Sequence, residues 1–534
     1  MPLRTALLLI LASLWITPAM AARELAVVAP AVSCASLVAT DLTDIGGRGS
    51  AVRSARESQF NGQPVCVVEA TLAPQINVNL RLPLHGWTQR YLQLGCGGFC
   101  GLIIQQATAA DGCAPLASGS FAVAATDMGH QTPGGSFGQD PQLRVDFAYR
   151  AVHLTAVAAK KLIAAFYAQQ PAYAYFSGCS DGGREALMAA QRYPQDFNGI
   201  IAGAPSLLFV VQNGLFHPWQ AVANRDAQGR PILLADKLPL LHRAVLEQCD
   251  GLDGQVDGLL SDPRLCQVKL EGLRCRADTA PASCLSAAEI GVVQRLYDGP
   301  RDPAGGERLT LGGPLPGSEL AWADVFVPRH AQTPSGSWQV ATEALRGVVF
   351  EQNPRADFTP ADLPFNAATL DRLRVTHPLY DASNPDLSAF ANAGNKLLLW
   401  HGWADPRITP LNSIAYLQAL QSQLGKERVE TFAQLYMLPG LYHCSGGEGP
   451  SHFDLLTPLM HWVESGQAPA AITAFNDKPR ISRPLFPYPQ VATYKGEGDP
   501  NDANSYQAGP ALINPPPVNW LGHDLLKPYT ARER

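Results

Sequence analysis

The chain has 534 residues, of which 46% are hydrophobic and 16% charged, and its formal net charge is −6. So apolar a chain with so little net charge supports a large buried core and excludes intrinsic disorder. The mildly acidic balance, with no run of Lys or Arg longer than two, excludes nucleic acid and anionic membrane as natural partners.

The N-terminus opens with Arg4, an apolar run from Leu7 to Ile16, a break at Pro18, and an A-x-A site at Ala19-Met20-Ala21. This is the grammar of a secretory signal peptide over residues 1–21. The apolar run is too short for a membrane anchor, which needs ~20 such residues. The protein is therefore expected to be secreted or periplasmic. In that oxidising setting most of the 11 cysteines should form disulfides, and the odd count leaves at least one unpaired.

Further along, Arg90–Leu94 reads as a strand running into the glycine-rich loop Gly95–Gly98. Ala172–Phe176 reads as a second strand, followed by Ser177-Gly178-Cys179-Ser180-Asp181-Gly182-Gly183 and helical residues from Arg184 to Arg192. The buried-strand pattern returns at Gly199–Pro205. Strand, tight turn, helix, strand is a βαβ unit and implies a parallel sheet. The same pattern recurs late: a strand at Lys396–Trp400 ending in His401–Pro406, a helix near Leu411–Leu424, and a strand at Thr431–Met437 ending in Pro439–Cys444. Between Pro205 and Lys396 lie 190 residues without βα repeats, too long for a loop. The expected architecture is a discontinuous α/β core over residues 22–206 and 386–534, with an inserted lid over 207–385.

Gly178-Cys179-Ser180-Asp181-Gly182 matches G-x-S-x-G with a strand before it and a helix after it. In that context the serine sits on a strained turn that lifts its Oγ above the sheet, at the positive end of a helix. A serine needs a base oriented by an acid, and in this fold the chain order is Ser, Asp or Glu, His. Asp405 and His443 follow successive late strands and occupy those places. The rivals are weaker: His401 ends a strand, where it reads as a pocket-lining residue, and His452 and His461 lie in or near a helix. Cys179 precedes the serine and Cys444 follows the histidine, so a Cys179–Cys444 bond would hold nucleophile and base at a set separation.

The order Cys-Ser, Asp, His-Cys resembles the tannase and feruloyl esterase family. Further segments carry the resemblance: Gly95–Phe99, Ala125–His130, the elbow through Pro205, His401–Pro406 and Pro487–Ala492. It implies an α/β-hydrolase core with an inserted lid domain, a Ser180–Asp405–His443 triad, the Cys179–Cys444 bridge, and cleavage of esters of aromatic acids. One departure is that family members often carry a C-terminal cysteine pair near the Pro-Tyr-Pro segment. Here Phe486 stands there and no cysteine follows Cys444.

An oxyanion needs two backbone N–H donors. The residue after the nucleophile, Asp181, is one, and Gly97, within one residue, is the expected second. In the lid, Asp250, Asp253 and Asp257 lie three and four residues apart among glycines, a spacing suited to one hard cation, though not that of an EF-hand. The resemblance implies a structural calcium there, with the carbonyls of Gln255 and Leu259 completing the shell. Cys249 with Cys266, Cys275 with Cys284, and Cys34 with Cys66 are the expected further pairs. Of Cys96, Cys100 and Cys113, two remain free to bond. Trp338, Arg346 and Phe350 are candidates for lining the substrate pocket, each equally readable as packing or surface.

The expected function is hydrolysis of hydroxycinnamic or hydroxybenzoic esters through an acyl-enzyme, with a small aromatic ester as the partner. Mono(2-hydroxyethyl) terephthalate hydrolysis is the alternative. A noncatalytic binder on a hydrolase scaffold, a serine peptidase and an acyltransferase are the more distant readings.

Overall fold

A computed structural model describes residues 25–132, 134–277, 280–478 and 480–529. The expected signal peptide, 1–21, lies outside the described residues.

A nine-stranded mixed sheet runs through the molecule in the order β1-β2-β3-β5-β4-β6-β7-β8-β9. The first three strands, β1 (Ala51–Phe60), β2 (Gln63–Leu72) and β3 (Ile76–Pro83), form an antiparallel meander. Asn61 and Gly62 join β1 to β2 with φ of 48° and 76°, the two left-handed positions of a tight hairpin turn. The remaining strands are β4 (Arg90–Leu94), β5 (Phe121–Thr126), β6 (Tyr173–Cys179), β7 (Gly199–Gly203), β8 (Lys396–Gly402) and β9 (Ala433–Leu438). All six pair in parallel, and β5 also pairs antiparallel with β3. The parallel strands are nearly uninterrupted apolar runs because both faces are covered.

The pleat sends alternate residues to two cores. Leu397 and Leu399 of β8 join one, with the helices Ala151–Tyr167, Asp181–Arg192 and Leu411–Leu424. Leu398 and Trp400 join the other, against the helix Leu456–Ser465. That last helix is tied to β4 by a buried bidentate pair, Arg90 to Glu464 at 2.8 and 2.7 Å, and Tyr175 donates to the same carboxylate.

The sheet passes directly from β7 to β8, so everything between is inserted. From Ala223 to Val327 the insert has its own cluster, built on the helices Leu238–Cys249 and Ala287–Asp298 and on Trp322 and Phe326. Two disulfides, Cys249–Cys266 and Cys275–Cys284, brace this lid. Beyond it, Ala344, Leu345, Leu370, Leu373 and Tyr380 pack into the first core of the sheet.

Candidate active site

The parallel strands end on one side, where the loops after β4, β6, β8 and β9 converge. Ser180 follows β6 with φ 66° and ψ −120°, a strained conformation that turns the chain sharply into the next helix. Glycine is required around it. A Cβ on Gly178 would lie 2.4 Å from the Gly182 carbonyl oxygen, and one on Gly182 would lie 2.8 Å from that of Cys96. The loop after β4 thus packs directly on the elbow.

Asp405 is fully buried after β8. Its Oδ1 accepts the N–H of Arg407 at 2.8 Å and of Ile408 at 3.0 Å, while Oδ2 lies 2.7 Å from His443 Nδ1. Burial alone would raise the Asp405 pKa. The charge of His443 and hydrogen bonds from His401 and His443 outweigh it and hold the carboxyl well below its ordinary range. With Nδ1 facing a carboxylate, His443 carries its proton there and leaves Nε2 as a base. His443 and Ser180 line one cavity of about 400 Å³. No hydrogen bond joins them among the described residues, a contact that in free enzymes is often long and tightens with substrate. Cys179 and Cys444 are bonded, with Cα atoms 6.0 Å apart, and clamp the two loops together.

Around the elbow, the Cys96 N–H is taken by Glu185 at 3.2 Å. Burial, with the charge of Asp181, pushes the Glu185 carboxyl well above its ordinary range. Among the described residues neither Gly97 nor Asp181 has an acceptor for its N–H, and both line the cavity. Cys96 bonds to Cys100 and Cys34 to Cys66, leaving Cys113 as the buried free thiol. Cys96, Cys100, Asp181 and Glu185 bring their donor atoms within 4.8 Å of one another. The two sulfurs are spent on each other, so this cluster is not a metal site.

Of the four residues weighed as pocket lining, His401 is corrected and the other three take their packing or surface alternative. His401 does not line the cavity. It lies fully buried beneath Asp405, with Nε2 3.2 Å from Asp405 Oδ2 and 3.1 Å from the Ile408 carbonyl, and Nδ1 2.8 Å from Ser413 Oγ. Two acceptors facing Nε2 place the proton there. Trp338, Arg346 and Phe350 do not line the cavity either. Trp338 lies under the Arg225 guanidinium, Arg346 donates to the Phe358 carbonyl, and Phe350 is core. The helix Gly336–Gly347, which carries Trp338 and Arg346, presents Val340 instead. With Phe99, Ile104, Phe209 and Ile408, Val340 makes the cavity predominantly apolar.

Two polar residues in the wall were missed by reasoning from the sequence. His217 is buried, and burial, reinforced by the Arg407 charge, pulls its pKa down to about 3. Arg407 itself lines the cavity, and among the described residues its guanidinium has no hydrogen-bonded partner. Its position two residues after Asp405 was the available clue.

The lid aspartates lie on one loop. Asp250 accepts N–H groups of Asp257 and Gly258, and Asp253 accepts those of Gln255 and Ser261. Asp257 accepts that of Leu259 and pairs with Arg483 at 2.7 Å. A small cavity of about 40 Å³ is lined by Asp253, Gln255, Asp257 and Leu259, with Arg483 and Phe486. Asp253 and Asp257 line this cavity and Asp250 does not, so the donor set fits a hard cation provided that Asp257 exchanges Arg483 for the ion and Asp250 turns from its backbone N–H partners.

The model of the tannase and feruloyl esterase family matches residues 59–509. The chain belongs to this family. Mono(2-hydroxyethyl) terephthalate hydrolase of Piscinibacter sakaiensis is 33% identical over 499 residues, covering 82% of each chain. A probable feruloyl esterase B-1 of Aspergillus flavus is 30% identical over 484 residues, covering 84% of this chain and 87% of that one. The crystal structure of feruloyl esterase B from Aspergillus oryzae superposes with a TM-score of 0.78 at 26% identity, covering 89% of this chain and 100% of that one. This tannase-family chain is a carboxylic ester hydrolase on an α/β-hydrolase core with an inserted lid.

Proposed function

We propose that the protein is an exported serine esterase that hydrolyses hydroxycinnamic or hydroxybenzoic esters. Ser180 Oγ attacks the ester carbonyl while His443 Nε2 takes its proton, and the N–H groups of Gly97 and Asp181 receive the developing oxyanion. His443 then passes the proton to the departing alcohol, leaving an acyl-Ser180. Water attacks the acyl group, His443 takes its proton, and Ser180 regains one as the acid leaves. Asp405 holds His443 in the required tautomer, and His401, through Asp405, is a positioning residue.

The observation that carries this reading is the buried 2.7 Å contact of Asp405 with His443, which opens onto the same apolar cavity as Ser180. In the lid, Asp250, Asp253 and Asp257, with the carbonyls of Gln255 and Leu259, would hold calcium. A bound ion would neutralise the carboxylates and stiffen the loop. Export is supported by five disulfides among the described residues.

The test is hydrolysis of methyl ferulate, with fluorophosphonate labelling. Ser180→Ala should lose both turnover and label while melting as the wild type does. Turnover near wild type in that variant would refute the mechanism.

Arg407 favours a second reading, a monoester of terephthalate, whose free carboxylate would meet this unpartnered cation. In that case Arg407→Ala raises KM for the terephthalate monoester and leaves methyl ferulate unchanged. Equal effects on both substrates would remove the second reading.

A further inference from the structure

A second cavity of about 390 Å³ lies beside the first, over β2 to β5. Its floor is apolar, with Val65, Leu92, Leu94, Phe121 and Val123, and Arg81 of β3 lines it as well. Arg81 is only 7% exposed. Its guanidinium lies over the Phe60 ring, 3.3 Å from the centroid, and Nη2 donates to the Gln105 carbonyl at 3.3 Å. Nη1 is buried and has no partner among the described residues. No acidic side chain pairs with Arg81 among them. Asp111, which also lines the cavity, pairs with His452 at 3.0 Å instead.

A buried cation without a counter-ion is costly, and the usual remedy is a bound or paired anion. Gln105 is committed, its Nε2 donating to both the carbonyl and the Oδ1 of Asn79 at 2.9 and 2.8 Å. Burial has drawn the Arg81 pKa down to about 10, which an incoming anion would reverse.

We propose that this cavity binds a small monocarboxylate with a flat apolar body, its carboxylate on Arg81 and its ring over the strand floor. The inference does not rest on which aromatic ester is the substrate. It uses only that a carboxylic ester hydrolase releases a carboxylate, so the acid product belongs to the class of ligand that fits. The wall between the two cavities is the extended segment 104–108. Ile104, Gln106 and Thr108 face the Ser180 cavity, while Gln105, Gln106 and Ala107 face the Arg81 cavity. Gln106 borders both, so a carboxylate on Arg81 would lie one side chain away from the substrate.

The experiment blocks the Ser180 cavity with a fluorophosphonate and titrates the labelled full-length protein with cinnamate and with cinnamamide by calorimetry. One equivalent of cinnamate should bind, with the neutral amide at least ~10-fold weaker, the usual effect of losing a charge-assisted hydrogen bond. Arg81→Gln should weaken cinnamate by at least ~10-fold, and Arg81→Lys by less. Absence of saturable cinnamate binding, or equal binding of acid and amide, overturns the proposal. Unchanged binding by a folded Arg81→Gln does the same. Where Arg81→Gln does not fold, the acid-against-amide comparison on the wild type decides. If Ser180 resists the label, the functional reading fails separately. The Arg81 site is then read as cinnamate binding, in unlabelled protein, that exceeds binding of the amide.

Discussion

Replacing Asp405 by Asn swaps one oxygen for an NH2 group, and the surroundings dictate which one. Oδ1 accepts two backbone N–H groups, from Arg407 at 2.8 Å and Ile408 at 3.0 Å, so only an oxygen can remain there. The amide NH2 must then occupy the place of Oδ2, 2.7 Å from His443 Nδ1. It donates to that nitrogen and drives the imidazole proton to Nε2, the atom that in the proposed mechanism accepts the proton of Ser180. His401 keeps its second acceptor, the Ile408 carbonyl at 3.1 Å, so the fold should survive. A serine triad locked in the wrong tautomer loses ~10,000-fold in kcat, which is about 5 kcal/mol of transition-state stabilisation. The stability cost should be that of one charge-assisted hydrogen bond, about 1.5–3 kcal/mol. Steady-state hydrolysis of methyl ferulate, alongside a thermal melt, reads both. A folded Asp405→Asn enzyme that loses less than ~10-fold in kcat would refute the tautomer argument.

The double variant Cys179→Ala/Cys444→Ala should fold yet turn over slowly, since a shift of the base by ~1 Å can cost ~100-fold; an unchanged kcat would show that the clamp is dispensable. A chelator should remove ~2.7 kcal/mol of stability if calcium stood at a hundredfold excess over Kd, read as a lower melting temperature, and weaken binding of hydroxycinnamate esters more than that of a short p-nitrophenyl ester. Equal loss on both esters without a change in melting would reduce the aspartates to a solvated turn. The His217 pKa is lowered to about 3 from an ordinary 6.5, so between those values the unfolded chain binds more protons than the folded one, and stability falls as pH falls. That term reaches about 3 kcal/mol by pH 4, and His217→Gln should flatten the wild-type decline in denaturant midpoint between pH 7 and 4. A parallel decline in both proteins would assign the acid sensitivity elsewhere.

What the sequence determined by itself was local. The elbow at Ser180 is legible because its strain must be relieved by glycines within a few residues. The strand at Lys396–Trp400 is legible because buried parallel strands are continuous apolar runs. The order of Ser180, Asp405 and His443 follows from which strands they terminate, and the structure brings the last two into contact across 38 residues. The antiparallel strands of 51–83 escaped notice because β1 is largely solvent-exposed and polar.

Only the tertiary structure decided which side chains meet. The loops after β4 carry Cys96 and Cys113 into different cores, so Cys96 bonds to Cys100 and Cys113 stays free. Whether His401 faces the cavity or lies beneath Asp405 depends on how the loop after β8 folds back onto the strand, and the turn of the helix Gly336–Gly347 that meets the cavity depends on how it docks. His217, Val340 and Arg407 reach one wall, and Asp257 meets Arg483, from distant parts of the chain. Spacing along a sequence governs neighbours within a turn or a strand, whereas contacts across hundreds of residues are settled by how the sheet, the lid and their cores pack together.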